Sequence, residues 1–480
     1  MTSTTRQVYS IAAGNYLDVS GNTQGFVTSA TDGGWQTAQS IVLPSDAIPI
    51  NYIGSINPPP YQILGSSVSA LGKGSVCGFY PSETYGINGF ITYETTDGSW
   101  TTLAANQYAS VVTAVSNQVA SGFWRDSTTG QLYGLFGSQA TDGGGNWSFL
   151  ASRMVNAFFT TVSSCNPGNG LIGGGIHNTL TVSGVYSAFV QEQTQGVWDV
   201  THGQTILPFY ENQQYSYIVS LSQSSIGNAI GGGVAFDGSF SFSSPFVARP
   251  FLTTQVNGVW SPAYVIPFDY DNTQPIVFAQ ITSVAASSDG NAVAGGFVSY
   301  GTTGAFQSYG FVLNQVHGVW DSSIRVLLPT NGNTADITVN SAITSVSSPS
   351  DGNALAYGYY VTAEGTYQTV AFQQTQGAWN PNPTLLFPPV SGYISTATNP
   401  FVGYYFAAAS SSISWLNFTN QVVNVTNGKG IAGGSFDSSS SEVLVSDGAF
   451  ALPSDASLDS VVQNAFVATV SAILTQLGPI

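Results

Sequence analysis

Apolar and polar residues alternate along most of the chain in short runs separated by glycine-rich turns, the period-two signature of half-buried strands. The runs recur as a unit. Seven of the nine tryptophans, Trp35, Trp100, Trp147, Trp198, Trp260, Trp320 and Trp379, close the same local pattern at spacings of 65, 47, 51, 62, 60 and 59 residues. The clearest copies are Gln193-Thr-Gln-Gly-Val-Trp198, Gln255-Val-Asn-Gly-Val-Trp260, Gln315-Val-His-Gly-Val-Trp320 and Gln374-Thr-Gln-Gly-Ala-Trp379. The x-Gly pair before each Trp suits a two-residue hairpin turn with positive φ. An apolar strand such as Ala188-Phe-Val190 leads into this turn, and an apolar-Pro pair such as Leu207-Pro208 or Ile266-Pro267 follows it. Upstream lies a strand of small residues, for example Ile230-Gly-Gly-Gly233 or Val293-Ala-Gly-Gly296, preceded by an alternating run and a Gly-Asn turn. One unit is thus four short strands.

Four-stranded units of this length, repeated, predict an all-β fold, a β-propeller of four-stranded blades. A linear β-solenoid is the alternative, although its coils usually run shorter. Small residues fit where blades converge. Each repeated Trp is expected to lie buried between neighbouring sheets, against the next blade. Eight blades are favoured, with seven as the other count. For the eighth, Ala432-Gly433-Gly434 supplies the small strand and Phe450, after Asp447-Gly448, takes the tryptophan place. The propeller then spans residues 1–455, with residues 390–417 as an insertion. In residues 456–480 Leu458, Val462, Phe466, Val470 and Leu474 recur at helical spacing, which predicts a C-terminal amphipathic α-helix. That helix would cover one face of the ring, serve in self-association, or act in secretion.

Composition narrows the function. Seven Lys and Arg stand against 24 Asp and Glu, a net charge of −17, and only 6 % of residues are charged. Phosphate backbones and anionic membranes need basic patches, so nucleic acid is excluded as a partner class. No apolar run of membrane-spanning length occurs, and no signal peptide is visible at the start of this sequence. A charge-poor, acidic chain with few lysines points to an extracellular or cell-surface setting.

Candidate chemistry is sparse. His177, His202 and His317 have no metal-ligand spacing, and His317 fills a turn slot held by Asn257 and Gln376 in sister units. Cys77 sits in a small-residue strand and Cys165 in a loop two units away, which argues against a disulfide. Asp142-Gly-Gly-Gly-Asn-Trp147 has the Asp-to-Trp spacing of a sialidase-type Asp box, itself a structural turn. Asp269 and Asp271 form a weak Ca²⁺ candidate, the sole cofactor suggestion. Aromatic residues are the remaining resource. Tyr210, Tyr215, Tyr217, Tyr270, Tyr359 and Tyr360 fall in or near expected loops, where rings stack on uncharged ligands such as glycans.

The unit resembles the bacterial extracellular repeats named after their His-Ala-Phe tripeptide. Ile343-Thr-Ser-Val346, Gly352-Asn353, Leu355-Ala-Tyr-Gly358, Ala371-Phe372 and Gly377-Ala-Trp379 follow that order, although no His precedes Ala188-Phe189 or Ala371-Phe372. The resemblance covers residues 100–390 and implies a secreted or surface β-rich protein without catalytic residues. The sequence therefore leads to a secreted, non-enzymatic propeller for recognition or attachment at a surface, with glycan the favoured ligand class. The alternatives are a structural subunit of an extracellular assembly, self-associating through residues 457–480, and a glycan-cleaving enzyme.

Overall fold

A computed structural model describes most of residues 9–385, and beyond them residues 424–425, 429–438 and 462–471. Every regular element among these residues is a β-strand. They form eight successive antiparallel sheets, each built from neighbours in the chain. Numbered in order, sheet 1 lies within residues 9–40, sheet 2 within 62–104, sheet 3 within 109–155, sheet 4 within 157–206, sheet 5 within 213–265, sheet 6 within 276–326, sheet 7 within 341–385 and sheet 8 within 424–471. Sheet 4 shows the plan: an inner strand, Ala157–Asn166, a second, Asn169–Asn178, a third, Val185–Thr194, and an outer strand broken into Val197–Trp198 and Gln204–Ile206. Sheets 4, 5 and 6 are further linked by single parallel bridges, Tyr186 to Tyr215 and Ala248 to Phe278. From sheet 2 to sheet 8 the inner strand of each sheet touches the inner strand of the next. The third strand of sheet 8, Val462–Ser471, touches Tyr9–Leu17 of sheet 1. The described sheets, eight in number, therefore close into a ring, the arrangement of a β-propeller.

The inner strands share a β-bulge. It falls at Leu64, Thr113, Thr160, Val219, Thr282 and Thr344 in sheets 2 to 7. The extra residue turns the carbonyl two positions before it onto the second strand. There a glycine always receives it: a Cβ on Gly78, Gly122, Gly174, Gly233, Gly296 or Gly358 would collide with the oxygen of Gln62, Val111, Phe158, Tyr217, Gln280 or Ala342. The small-residue strand is thus second from the axis, and its glycine answers the bulge. Convergence of the blades accounts for the glycine before it. A Cβ on Gly173, Gly232 or Gly295 would press on Ile218 and Leu221, Ile281 and Val284, or Ile343 and Val346 of the following sheet.

Hydroxyls stitch the sheets together. The Oγ1 of Thr113 lies 3.0 Å from the carbonyl of Ser121 in its own sheet and 2.9 Å from that of Phe159 in the next. Thr282 repeats this with Gly295 at 3.0 Å and Ile343 at 2.6 Å. Serines of one inner strand accept from backbone N–H groups of the next, as Ser220 does from Val284 at 3.1 Å and Ser163 from Gln223 at 2.9 Å. Each bond contributes about 0.5–1.5 kcal/mol net.

The repeated tryptophans fill the spaces between sheets. Trp147, Trp198, Trp260, Trp320 and Trp379 are only 4–9 % exposed, and Trp100 is half-buried. Each packs on the preceding sheet rather than the next: Trp260 lies with Leu171, Ala188 and Ile206, and Trp379 with Val293 and Val312. In sheets 5 to 7 this follows from its cross-strand partner, a buried Gln. Gln374 reaches back to Asn314 at 2.9 Å, Gln315 to Thr254 at 2.8 Å, and Gln255 donates to Glu192. Of Trp35, only its place in a short strand is described.

Two expectations at the C-terminus need correction. Val462–Ser471 is a strand, not a helix, and pairs along its length with Lys429–Ser438. Its register places Phe466 opposite Gly434, as Phe189 lies opposite Gly174, so it is the third strand of sheet 8. Phe450 precedes this strand and so cannot stand in for the Trp that follows a third strand. Phe450 itself and the 390–417 insertion lie outside the described residues.

Candidate functional site

The two ends of the ring differ. One end carries the tight turns that join inner to second and third to outer strands. In sheets 4 to 7 the third-to-outer turn holds a residue at positive φ, Gln195, Asn257, His317 or Gln376, followed by Gly. A half-buried Asn of the other hairpin steadies the turn: Asn291 accepts from the His317 N–H at 2.7 Å, and Asn228 from that of Asn257 at 3.3 Å. His317 is therefore a turn residue. The opposite end carries the longer connections, where inner strands begin and second strands finish.

At this loop-bearing end, sheets 4 to 6 carry a continuous aromatic belt. Tyr215 stacks on Tyr186 with centroids 5.5 Å apart, and Tyr186 meets Phe158 at 5.8 Å. Phe158 meets Tyr217 edge-on at 5.8 Å, and Tyr217 stacks on Phe236 at 6.2 Å. Phe236, Phe278 and Phe297 continue the belt inward at 6.4 and 5.6 Å. Phe158, Tyr186, Tyr215 and Tyr217 are half-buried, while Phe236, Phe278 and Phe297 are buried behind them. Four rings thus reach solvent on a rigid backing. Burial pushes the Tyr217 hydroxyl up to about 12, and burial followed by the neighbouring Tyr215 raises that of Tyr186. These tyrosines remain neutral at physiological pH.

Sheets 2 and 3 present something different at the same end. A directed polar chain runs from the Ser110 hydroxyl to Asn88 at 3.0 Å, from the Asn88 amide to Tyr80 at 3.2 Å, and from the Tyr80 hydroxyl to Asp46 at 2.9 Å. Ser82 donates a second bond to Asp46 at 2.6 Å. Burial, reinforced by Asp46, raises the Tyr80 hydroxyl well above its ordinary range. The chain is satisfied at every link, so it locks these sheets to the loop carrying Asp46.

Of the tyrosines singled out from the sequence, Tyr215 and Tyr217 come together in this belt. Tyr359 does not offer a ring: it is 5 % exposed and packed with Phe278 and Phe297. Its strand Asn353–Val361 runs further into the sheet than the expected loop, which turns Tyr359 into the core. Tyr360 is half-buried beside the Val293 cluster. Tyr210, Tyr270, Asp269 and Asp271 lie outside the described residues. Tyr186 and Phe158 were missed because each sits in a strand-like run, yet both lie at strand ends on the loop side. Among the described residues no three His, Cys, Asp or Glu side chains gather in a way that could hold a metal ion. Cys77 is fully buried and Cys165 partly so, both as free thiols. Burial raises the Cys77 thiol far above its usual value. The belt offers stacking surface and neutral hydroxyls, which is binding chemistry.

No protein-family model and no curated protein sequence matches the chain. Among solved structures it is similar to the β-propeller domain of the trilobed protease of Pyrococcus furiosus, at 10 % identity over 79 % of this chain and 94 % of that one, with a TM-score of 0.40. It is also similar to the α-L-arabinanase of Penicillium chrysogenum complexed with arabinobiose, at 11 % identity over 96 % and 98 %, with a TM-score of 0.38. The fucose-specific lectin of Aleuria aurantia aligns at 11 % identity over 67 % and 94 %, with a TM-score of 0.27. Likeness at this level carries no ligand across to this chain.

Proposed function

We propose that the protein is a non-enzymatic recognition propeller acting outside the cell, and that it binds an uncharged glycan on the aromatic belt of sheets 4 to 6. The observation that supports this most is the set of four half-buried rings, Phe158, Tyr186, Tyr215 and Tyr217, on a buried aromatic backing. Sugar C–H faces pack on such rings, and neutral phenols add hydrogen bonds without requiring a charged ligand. The scarcity of basic residues favours the same ligand class.

A glycan array with the purified protein tests this reading. One or a few neutral glycans should be retained, and Tyr186→Ala with Tyr215→Ala should weaken binding several-fold, at about 0.5–1.5 kcal/mol per ring. The bound oligosaccharide should be recovered uncut. An array without any retained glycan, or retention unaffected by the double substitution, defeats the proposal. Cleavage of the glycan would make the protein an enzyme instead.

A further inference from the structure

Two seams between sheets hold buried polar atoms that their own side-chain neighbours do not pair. Trp260 and Gln255 face each other across a hairpin of sheet 5, and Trp320 and Gln315 do so in sheet 6. In both pairs the indole Nε1 and the amide Oε1 are sealed from solvent and have no hydrogen-bond partner among the described residues. The amide nitrogens are engaged elsewhere. That of Gln255 donates to Glu192, and that of Gln315 donates to Thr254 at 2.8 Å and to the Gly318 carbonyl at 3.3 Å. Each seam thus holds one orphaned donor and one orphaned acceptor on directly opposed residues. Described strands enclose both places. Trp260 packs among Leu171, Ala188, Val190 and Ile206, and Trp320 among Ile230, Leu252 and Ile266.

The seam between sheets 6 and 7 shows what satisfies such atoms when a side chain can reach them. There the Trp379 Nε1 donates to the Asn314 Oδ1 at 3.2 Å, and the Gln374 amide donates to the same oxygen at 2.9 Å. Asn314 stands one residue before the Gln of its own sheet, a place held by Glu192 in sheet 4 and Thr254 in sheet 5. Thr254 is shorter, and its hydroxyl meets the Gln315 amide but not the indole of Trp320. Glu192 likewise meets the Gln255 amide but not the indole of Trp260. A buried donor or acceptor that has lost its hydration and gained no partner is costly. The missing partner must accept from the indole, donate to the amide oxygen and fit within a packed seam. Water meets all three conditions.

We propose that the seams between sheets 4 and 5 and between sheets 5 and 6 each bind one internal water molecule. In the first seam it accepts from the Trp260 Nε1–H and donates to the Gln255 Oε1. In the second it accepts from the Trp320 Nε1–H and donates to the Gln315 Oε1. Two polar partners are the fewest that ordinarily hold a buried water. Each water ties an indole to its seam as the Asn314 side chain does between sheets 6 and 7.

The test is nuclear magnetic resonance on the full chain, deuterated and labelled with nitrogen-15. It reads rotating-frame Overhauser transfer from water to each indole Nε1–H, with resonances assigned through Trp260→Phe, Trp320→Phe and Trp379→Phe. Trp260 and Trp320 should show water cross-peaks opposite in sign to the diagonal, and Trp379 should show none. Absence of the peak at Trp260 or Trp320 overturns the proposal, as does an equal peak at Trp379. Thr254→Asn gives sheet 5 the asparagine of sheet 6. It should abolish the peak at Trp320 and leave that at Trp260, which also reports that the variant is folded. Persistence of the Trp320 peak in that folded variant would count against the assignment. Should the variant fail to fold, the contrast of Trp320 with Trp379 in the parent protein decides alone.

Discussion

At Gly296 a single methyl group separates a workable sheet from a clash. An alanine there would meet the Gln280 carbonyl, a backbone atom that cannot rotate away. Gly296→Ala should therefore lower stability by about 1–3 kcal/mol, the usual range for overpacking, as read from urea denaturation. Trp260→Ala acts in the opposite sense and leaves a void between sheets 4 and 5. It should cost about 3–5 kcal/mol, and an unchanged melting temperature would contradict its burial. Asp97 gives a pH signature. Its carboxylate accepts from the Thr95 and Ser99 side chains and the Ser99 N–H, which lowers its pKa from 3.8 to about 2. Because the folded value is depressed, its contribution is complete above 3.8 and is lost as pH falls through about 2. Asp97→Asn should remove that acid-dependent step from the local opening of the turn, measured by hydrogen exchange.

At the scale of an element, the hairpin pairs of sheets 4 to 6 are each held by an Asn that caps the neighbouring turn. Asn291→Ala removes the acceptor of the His317 N–H and should loosen sheet 6 by about 1 kcal/mol, seen as faster amide exchange at His317 and Gly318. The same Asn was visible in the sequence as a Gly-Asn turn, and the strands, the x-Gly turns and the buried tryptophans were equally legible there. Each of these depends on residues close together in the chain. The bulge was not legible, because no single residue type is required there: Thr occupies it in four sheets, but Leu64 and Val219 do in two others. The C-terminal strand was misread for a simpler reason. Leu458, Val462, Phe466 and Val470 recur every four residues, which is close to one helical turn and also an even number, so they share one face of either element. Ala465-Phe466-Val467, a copy of Ala188-Phe189-Val190, was the signal that separates the two. The aromatic belt was half legible. Tyr215 and Tyr217 stood out near a loop, but Phe158 and Tyr186 join them only through contacts between sheets.

For the whole molecule, a net charge of −17 with seven basic residues sets what the ring can meet. It should show no retention on heparin or on phosphatidylserine vesicles at physiological salt, where the Debye length is about 8 Å. Retention on either would require a basic patch among residues that are scattered in the sequence. The ring is also made of sheets so alike that a strand could settle one residue out of place while the chain folds. In sheets 2, 3 and 7 the residue before the bulge glycine is Cys77, Ser121 or Tyr357, whose side chain the bulge carbonyl would reject. Sheets 4, 5 and 6 have glycine there too, at Gly173, Gly232 and Gly295, so a slip of one residue meets no steric penalty at that point. Only the alternation of faces then guards the alignment, since such a slip turns every buried side chain outward. Fidelity of assembly is therefore weakest in sheets 4 to 6, the sheets that carry the aromatic belt, and a misaligned strand there would scatter those rings while leaving a ring of sheets behind.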